Sequence, residues 1–190
     1  MKHRLVISLI LLTLTGPVLA EKGFIISPKI GLQDWADDVH TLAGNTITFD
    51  PQASIGVEGG YQFGNGFTVT GELMASSHEA KNETAGTNRG TVAESSLVAM
   101  ASYYFRNDKS FKPFIGVGVG TYAIEISDSN TNATLDGFTA QARIGALLQI
   151  NEKLSINFEF KHYNIDVDDE NNLAIKTDAY FIGGGATWRF

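Results

Sequence analysis

The chain's last stretch, Thr177-Asp178-Ala179-Tyr180-Phe181-Ile182-Gly183-Gly184-Gly185-Ala186-Thr187-Trp188-Arg189-Phe190, decides how the rest is read. Counted back from the end, alternate positions are Phe190, Trp188, Ala186, Gly184, Ile182 and Tyr180. The interleaved set is Arg189, Thr187, Gly185, Gly183, Phe181, Ala179 and Thr177. Successive side chains of a strand point to opposite faces, so one face is apolar with aromatics at both ends. The other is small and polar with an arginine. At ~3.3 Å per residue and a tilt of ~40°, Tyr180 and Trp188 stand roughly 20 Å apart along a barrel axis. That approaches the ~25 Å apolar band, edged by aromatic rings, of a barrel that crosses a membrane.

Upstream, the same period of two recurs. Phe24 to Trp35 sets Phe24, Ile26, Pro28, Ile30 and Leu32 against Ser27, Lys29, Gly31 and Gln33. Pro51 to Phe63, Phe67 to His78, Thr91 to Phe105 and Lys112 to Ile126 repeat the alternation. So do Phe138 to Ile150 and Leu154 to Ile165. With the closing stretch this makes eight predicted strands. Their connections alternate between long polar segments (Ala36–Asp50, Glu79–Gly90, Ser127–Leu135, Asp166–Asn172) and tight turns (Gly64-Asn65-Gly66, Arg106–Ser110, Asn151-Glu152-Lys153). Glycine and asparagine tolerate the positive φ that tight hairpins need. The expected fold is all-β, an eight-stranded antiparallel up-and-down transmembrane β-barrel.

At the N-terminus, Lys2, His3 and Arg4 precede the mostly apolar Leu5 to Leu14. A helix break at Gly16-Pro17 follows, and then the small-residue site Val18-Leu19-Ala20. This is the pattern of a secretory signal peptide cleaved after Ala20, leaving a barrel domain of residues 21–190. Losing Lys2 and Arg4 takes the net charge from −7 to −9, which argues against a nucleic-acid partner. The chain has no cysteine, so disulfides and thiolate metal sites are excluded. Beyond the leader, no apolar run reaches the ~18 residues of a membrane-spanning helix, so any crossing must be made by a closed barrel.

Which face meets which solvent separates a membrane barrel from a soluble one that holds a ligand inside. Lys29, Glu58, Glu72, Glu94, Arg143, Glu159, Lys161 and Arg189 all fall on the polar face of their strands. They number four carboxylates and four cations, a set able to pair across a narrow lumen and fill it. On the apolar face, Tyr61, Phe63, Phe67, Tyr103, Phe105, Phe158, Phe160, Tyr180, Trp188 and Phe190 are expected to form two aromatic girdles. A buried ligand-holding core has no reason to place aromatics at two levels. The charges therefore point inward.

Over residues 21–190 the pattern resembles the small bacterial outer-membrane β-barrels, the OmpA transmembrane-domain and opacity-type porin-like family. Lys112-Pro113-Phe114-Ile115-Gly116-Val117-Gly118-Val119-Gly120-Thr121-Tyr122 is similar to that family's fifth strand. Gly183 to Phe190 is similar to its terminal strand. The resemblance implies an outer-membrane location with both termini periplasmic and a lumen blocked by charged side chains. It also implies Trp188 and Phe190 as the signal read by the barrel-assembly machinery. Nothing follows the barrel, so a peptidoglycan-binding domain is not expected. Implied partners are outer-membrane lipid and lipopolysaccharide, with surface or host ligands at the loops.

No cofactor, catalytic or metal-ligating set emerges. Lipid A deacylase barrels carry a lipid-facing His and Ser two residues apart. Here His162 is followed by Asn164, which cannot serve as the nucleophile. The acidic run Asp166-Val167-Asp168-Asp169-Glu170-Asn171-Asn172 fails the EF-hand pattern, since its sixth position is Asn171 and its twelfth Thr177. The expectation is a non-enzymatic structural or surface-interaction barrel. A narrow small-solute pore and a lipid A-modifying enzyme are the alternatives.

Overall fold

The computed structural model describes residues 22–36, 39–40, 46–48, 51–82, 89–105, 110–128, 131–168 and 174–190. The expected signal peptide lies outside them. In chain order the strands are β1 (Gly23–Trp35), β2 (Val39–His40), β3 (Thr46–Thr48), β4 (Gln52–Gln62) and β5 (Phe67–Asn82). They continue as β6 (Arg89–Tyr104), β7 (Phe111–Asp128), β8 (Thr131–Gln149), β9 (Leu154–Asp168) and β10 (Ala174–Arg189). Each long strand pairs antiparallel with its chain neighbours, and β1 pairs with both β4 and β10. The result is a closed eight-stranded barrel, with the two-stranded ribbon β2–β3 attached to the end of β5. Closure matters because lipid offers no hydrogen bonds, so every strand edge inside a bilayer needs a partner.

Short turns close one end, where the start of β1 and Phe190 also lie. Between β4 and β5, Gly66 adopts φ 85°, and the Asn65 side-chain oxygen accepts from the Phe67 amide at 3.0 Å. Between β8 and β9, Asn151 Oδ1 accepts from the amides of Lys153 and Leu154, both at 2.9 Å. These are asparagine-capped turns of the kind the dipeptides announce. Residues 106–109 lie outside the described set.

At the loop end the strands run further than the sequence pattern predicts. The connection expected from Ser127 to Leu135 is strand on both sides, with β7 reaching Asp128 and β8 starting at Thr131. Likewise β5 continues past His78 to Asn82, β9 past Ile165 to Asp168, and β10 starts at Ala174. The cause is a reversal of polarity along each strand. On β9 the outward residues Leu154, Ile156, Phe158 and Phe160 are followed by the exposed Asn164, Asp166 and Asp168. Its inward residues change from Ser155, Asn157, Glu159 and Lys161 to Tyr163, Ile165 and Val167. On β7 and β8 the same change turns Glu125 and Asp136 outward and Ile124 and Leu135 inward. The period of two is unbroken and each residue keeps its face, but the polar and apolar faces have been exchanged.

Two barrels are therefore stacked end on end. The lower wears an apolar coat over a polar interior, as lipid demands. The upper wears a polar coat over an apolar core of Trp35, Met74, Val92, Tyr122, Ile124 and Leu135 with the inward residues of β9 and β10. Water drives that second core, at ~1.5–3 kcal/mol per buried Leu or Ile. In the lower barrel lipid supplies no such drive, and the interior is held by ion pairs and hydrogen bonds.

Candidate functional site

Lys29, Glu58, Glu72, Arg143, Glu159 and Lys161 meet in the lower lumen, each buried. Glu58 and Glu72 sit directly opposite each other on β4 and β5, an arrangement that like charges disfavour. Lys29 offsets the repulsion: its Nζ lies 2.5 Å from Glu58, 2.7 Å from Glu72 and 2.8 Å from Glu159. Its register partners on the two flanking strands are Gly56 and Gly185.

Arg143 closes the cluster from β8. Its Nη1 and Nη2 each donate to a different oxygen of Glu58 at 2.8 Å, a bidentate grip that fixes direction as well as charge. Nε and Nη2 also donate to Ser102 Oγ, at 3.0 and 2.7 Å. The Phe114 ring lies 5.5 Å from the guanidinium carbon. Lys161 Nζ stands 2.6 Å from Glu72 and 3.2 Å from Glu159, and 4.7 Å from the centre of the Phe181 ring. Three carboxylates face three cations, so the cluster is neutral. The three carboxylates come close enough to hold a metal ion, with oxygens within 4.8 Å of one another. An ion there would have to displace the Lys29 ammonium.

Two residues predicted for this network stand elsewhere. Glu94 belongs to a separate layer nearer the loop end. There it accepts from Trp35 Nε1 at 2.6 Å, Gln33 Nε2 at 2.6 Å and Tyr122 Oη at 2.5 Å. Arg189 lies at the terminal end, donating to Gln62 Oε1 at 3.3 Å. Several of the inward glycines lie against rings and sulfurs. Gly145 and Gly183 accommodate the Phe114 and Phe181 rings, and Gly56 and Gly118 the Met74 and Met100 sulfurs; Gly116 alone of these lies against Arg143.

The aromatic set is divided between two levels unevenly. At the terminal end, Tyr61 packs on Phe63 and Tyr103 on Phe105, with centroids 5.1 and 5.3 Å apart, and Phe63 lies 6.1 Å from Phe67. Trp188 and Phe190 stand at the same end, their side chains exposed. Toward the loop end, Phe160 stacks on Tyr180 at 5.8 Å. Phe158 belongs to neither level, because its register partner Gly184 is midway between Tyr180 and Trp188. Phe24, packed on Tyr61 at 5.1 Å, and the exposed Phe138 were not predicted as girdle residues, although both had the correct parity.

Outward on β9 and β10, His162 Nε2 lies 3.5 Å from Asp178 Oδ1, and Asn164 Nδ2 donates to the same oxygen at 3.0 Å. The register neighbours of His162 and Asn164 on β8 are Ala142 and Ala140. Of the acidic run, Asp166 and Asp168 are outward residues of β9, and residues 169–172 lie outside the described set. Asp166 accepts from Lys176 Nζ at 2.7 Å, and this hydrogen bond holds the ammonium above its ordinary pKa.

The model of the family described as outer membrane protein beta-barrel domain matches residues 6–190. Among solved structures, OprG from Pseudomonas aeruginosa is similar at TM-score 0.70 and 15% identity, over 92% of this chain and 99% of its own. Neisserial surface protein A is similar at 0.65 and 13%, over 90% and 99%. Ail, the attachment invasion locus protein of Yersinia pestis, gives 0.53 and 13%, over 89% and 99%. At these identities the likeness is one of fold. No curated protein matches.

Proposed function

Because the chain belongs to the outer membrane protein beta-barrel domain family, we propose that it is a non-enzymatic outer-membrane barrel with a structural or surface-interaction role. Both termini face the periplasm and the loop end faces outward. The observation that carries this reading is the double closure of the lumen. A neutral cluster of six charged side chains fills the lower barrel, and an apolar core fills the upper one. A solute on the axis would meet ion pairs at one level and a packed, largely apolar core at the other. The names of two structural neighbours, a surface protein and an attachment invasion locus protein, suit a role at the loops.

A lipid-modifying enzyme fits less well. Asn164 supplies an amide where a hydroxyl is needed, and its outward neighbours on β8 are alanines. The deciding experiment is planar-bilayer recording of the refolded mature protein. Absence of stable conductance steps is the expected result; reproducible ohmic steps would replace this reading with the small-solute pore.

A further inference from the structure

We propose that the outward patch of β9 and β10 at the polarity reversal binds the sugar headgroup of a membrane glycolipid. Two register pairs build it: Tyr180 opposite His162, and Asp178 opposite Asn164. Below it the same faces carry Phe160 and Ile182, and above it Asp166 and Lys176, so the patch lies at headgroup depth.

Its chemistry is that of saccharide recognition. Tyr180 is an exposed aromatic ring, with Phe160 stacked on it at 5.8 Å and the His162 ring tilted against it at 5.2 Å. Asp178 accepts hydrogen bonds, Asn164 both donates and accepts, and the His162 and Asp178 side chains remain 41% and 39% exposed. On the β8 side, the register neighbours of Asn164 and His162 are the small Ala140 and Ala142. A bare phosphate is the poorer occupant. Lys176 has Asp166 at 2.7 Å and Asp168 beside it, while Asp178 and, opposite Tyr180, Asp34 add carboxylates to the patch. Sugar hydroxyls donate to such carboxylates, whereas phosphate oxygens are repelled.

The inference rests on the outer-membrane reading, but its test is made in detergent and is independent of conductance and of orientation. The mature protein, with folding checked by heat-modifiable migration, is titrated with three probes. These are diphosphorylated lipid A, lipid A stripped of its phosphates, and phosphatidylglycerol, with occupancy read by native mass spectrometry. Both forms of lipid A should bind one to one, and phosphatidylglycerol should not. Asp178→Asn and Tyr180→Leu should each weaken binding by about tenfold. Should either variant fail to fold, the His162 side-chain resonances of the wild-type protein decide, because lipid A must shift them. Unchanged affinity in the folded variants, equal binding of phosphatidylglycerol, unmoved His162 resonances or loss of binding with the phosphates would each overturn the proposal.

Discussion

Arg143 and Glu58, separated by 85 positions in the chain, are joined across the lumen by two hydrogen bonds of 2.8 Å. The contact ties β8 to β4, strands that are not neighbours in the barrel wall. It braces the cylinder from inside.

Cutting that brace tests which way the faces point. Arg143→Ala removes one of three cations from a neutral cluster and strands Glu58 beside Glu72, at a cost of about 3–5 kcal/mol. Adding Glu58→Gln should recover part of the loss. Ala146→Arg, on the lipid-facing parity of the same strand and in register with the mid-level Phe158, puts a charge into hydrocarbon at about 2–4 kcal/mol, and no lumen change should rescue it. Urea titrations in lipid vesicles compare the variants. A harmless Ala146→Arg together with an uncoupled Arg143→Ala would reverse the assignment.

The upper core should behave as the interior of a water-soluble protein. Leu135 is fully buried there, and Leu135→Ala should cost about 2–5 kcal/mol by leaving a cavity. The outward Leu148, 41% exposed on the same strand, should cost less when truncated, because lipid fills the gap. Equal losses in the same titration would mean that the two barrels do not have different solvents.

Two glycines on opposite faces should respond with opposite signs. A methyl group on Gly116 would press on the Ser102 hydroxyl and come within 3.0 Å of Arg143 Nε. Overpacking of this kind costs about 1–3 kcal/mol. Around Gly71 nothing lies within 4 Å of the added carbon. Gly71→Ala should be neutral or stabilise by up to about 1 kcal/mol through the unfolded chain's lost freedom. A stable Gly116→Ala would show that the cluster is looser than drawn.

Phe190 is 76% exposed, and its amide donates to the Phe24 carbonyl at 2.9 Å. So little packing predicts a small structural role for the ring. Removing Phe190 should reduce the assembled amount in cells far more than the yield of refolding in vitro. Equal reductions, measured by heat-modifiable migration in both settings, would make it a packing residue instead of an assembly signal.

The strand faces were legible in the sequence because a period of two needs no knowledge of neighbours. Lys29 and Glu159 could be turned inward from their own strands alone. Depth and partnership were not legible. Glu94 and Arg189 share the parity of the cluster, yet they sit in other layers, because height along the axis depends on the register of the whole barrel. The same ignorance of register put Phe158 in a girdle. Strand ends were missed where Leu135 and Val167 turn inward, since a template with apolar residues outward reads that reversal as loop. The His162–Asp178 contact joins two strands, and spacing within one strand cannot reveal it.

The reversal of polarity also makes insertion a one-way event. The strands must cross the bilayer before the upper core can close, because its outward residues need water and its inward residues need one another. Once closed, withdrawal would drag Asp136, Asp166, Asp168, Lys176 and their neighbours back through hydrocarbon, the lysine against a penalty of up to ~2–4 kcal/mol and each aspartate against a smaller one. The upper barrel is thus a rivet head, formed on the far side after the shank has passed through.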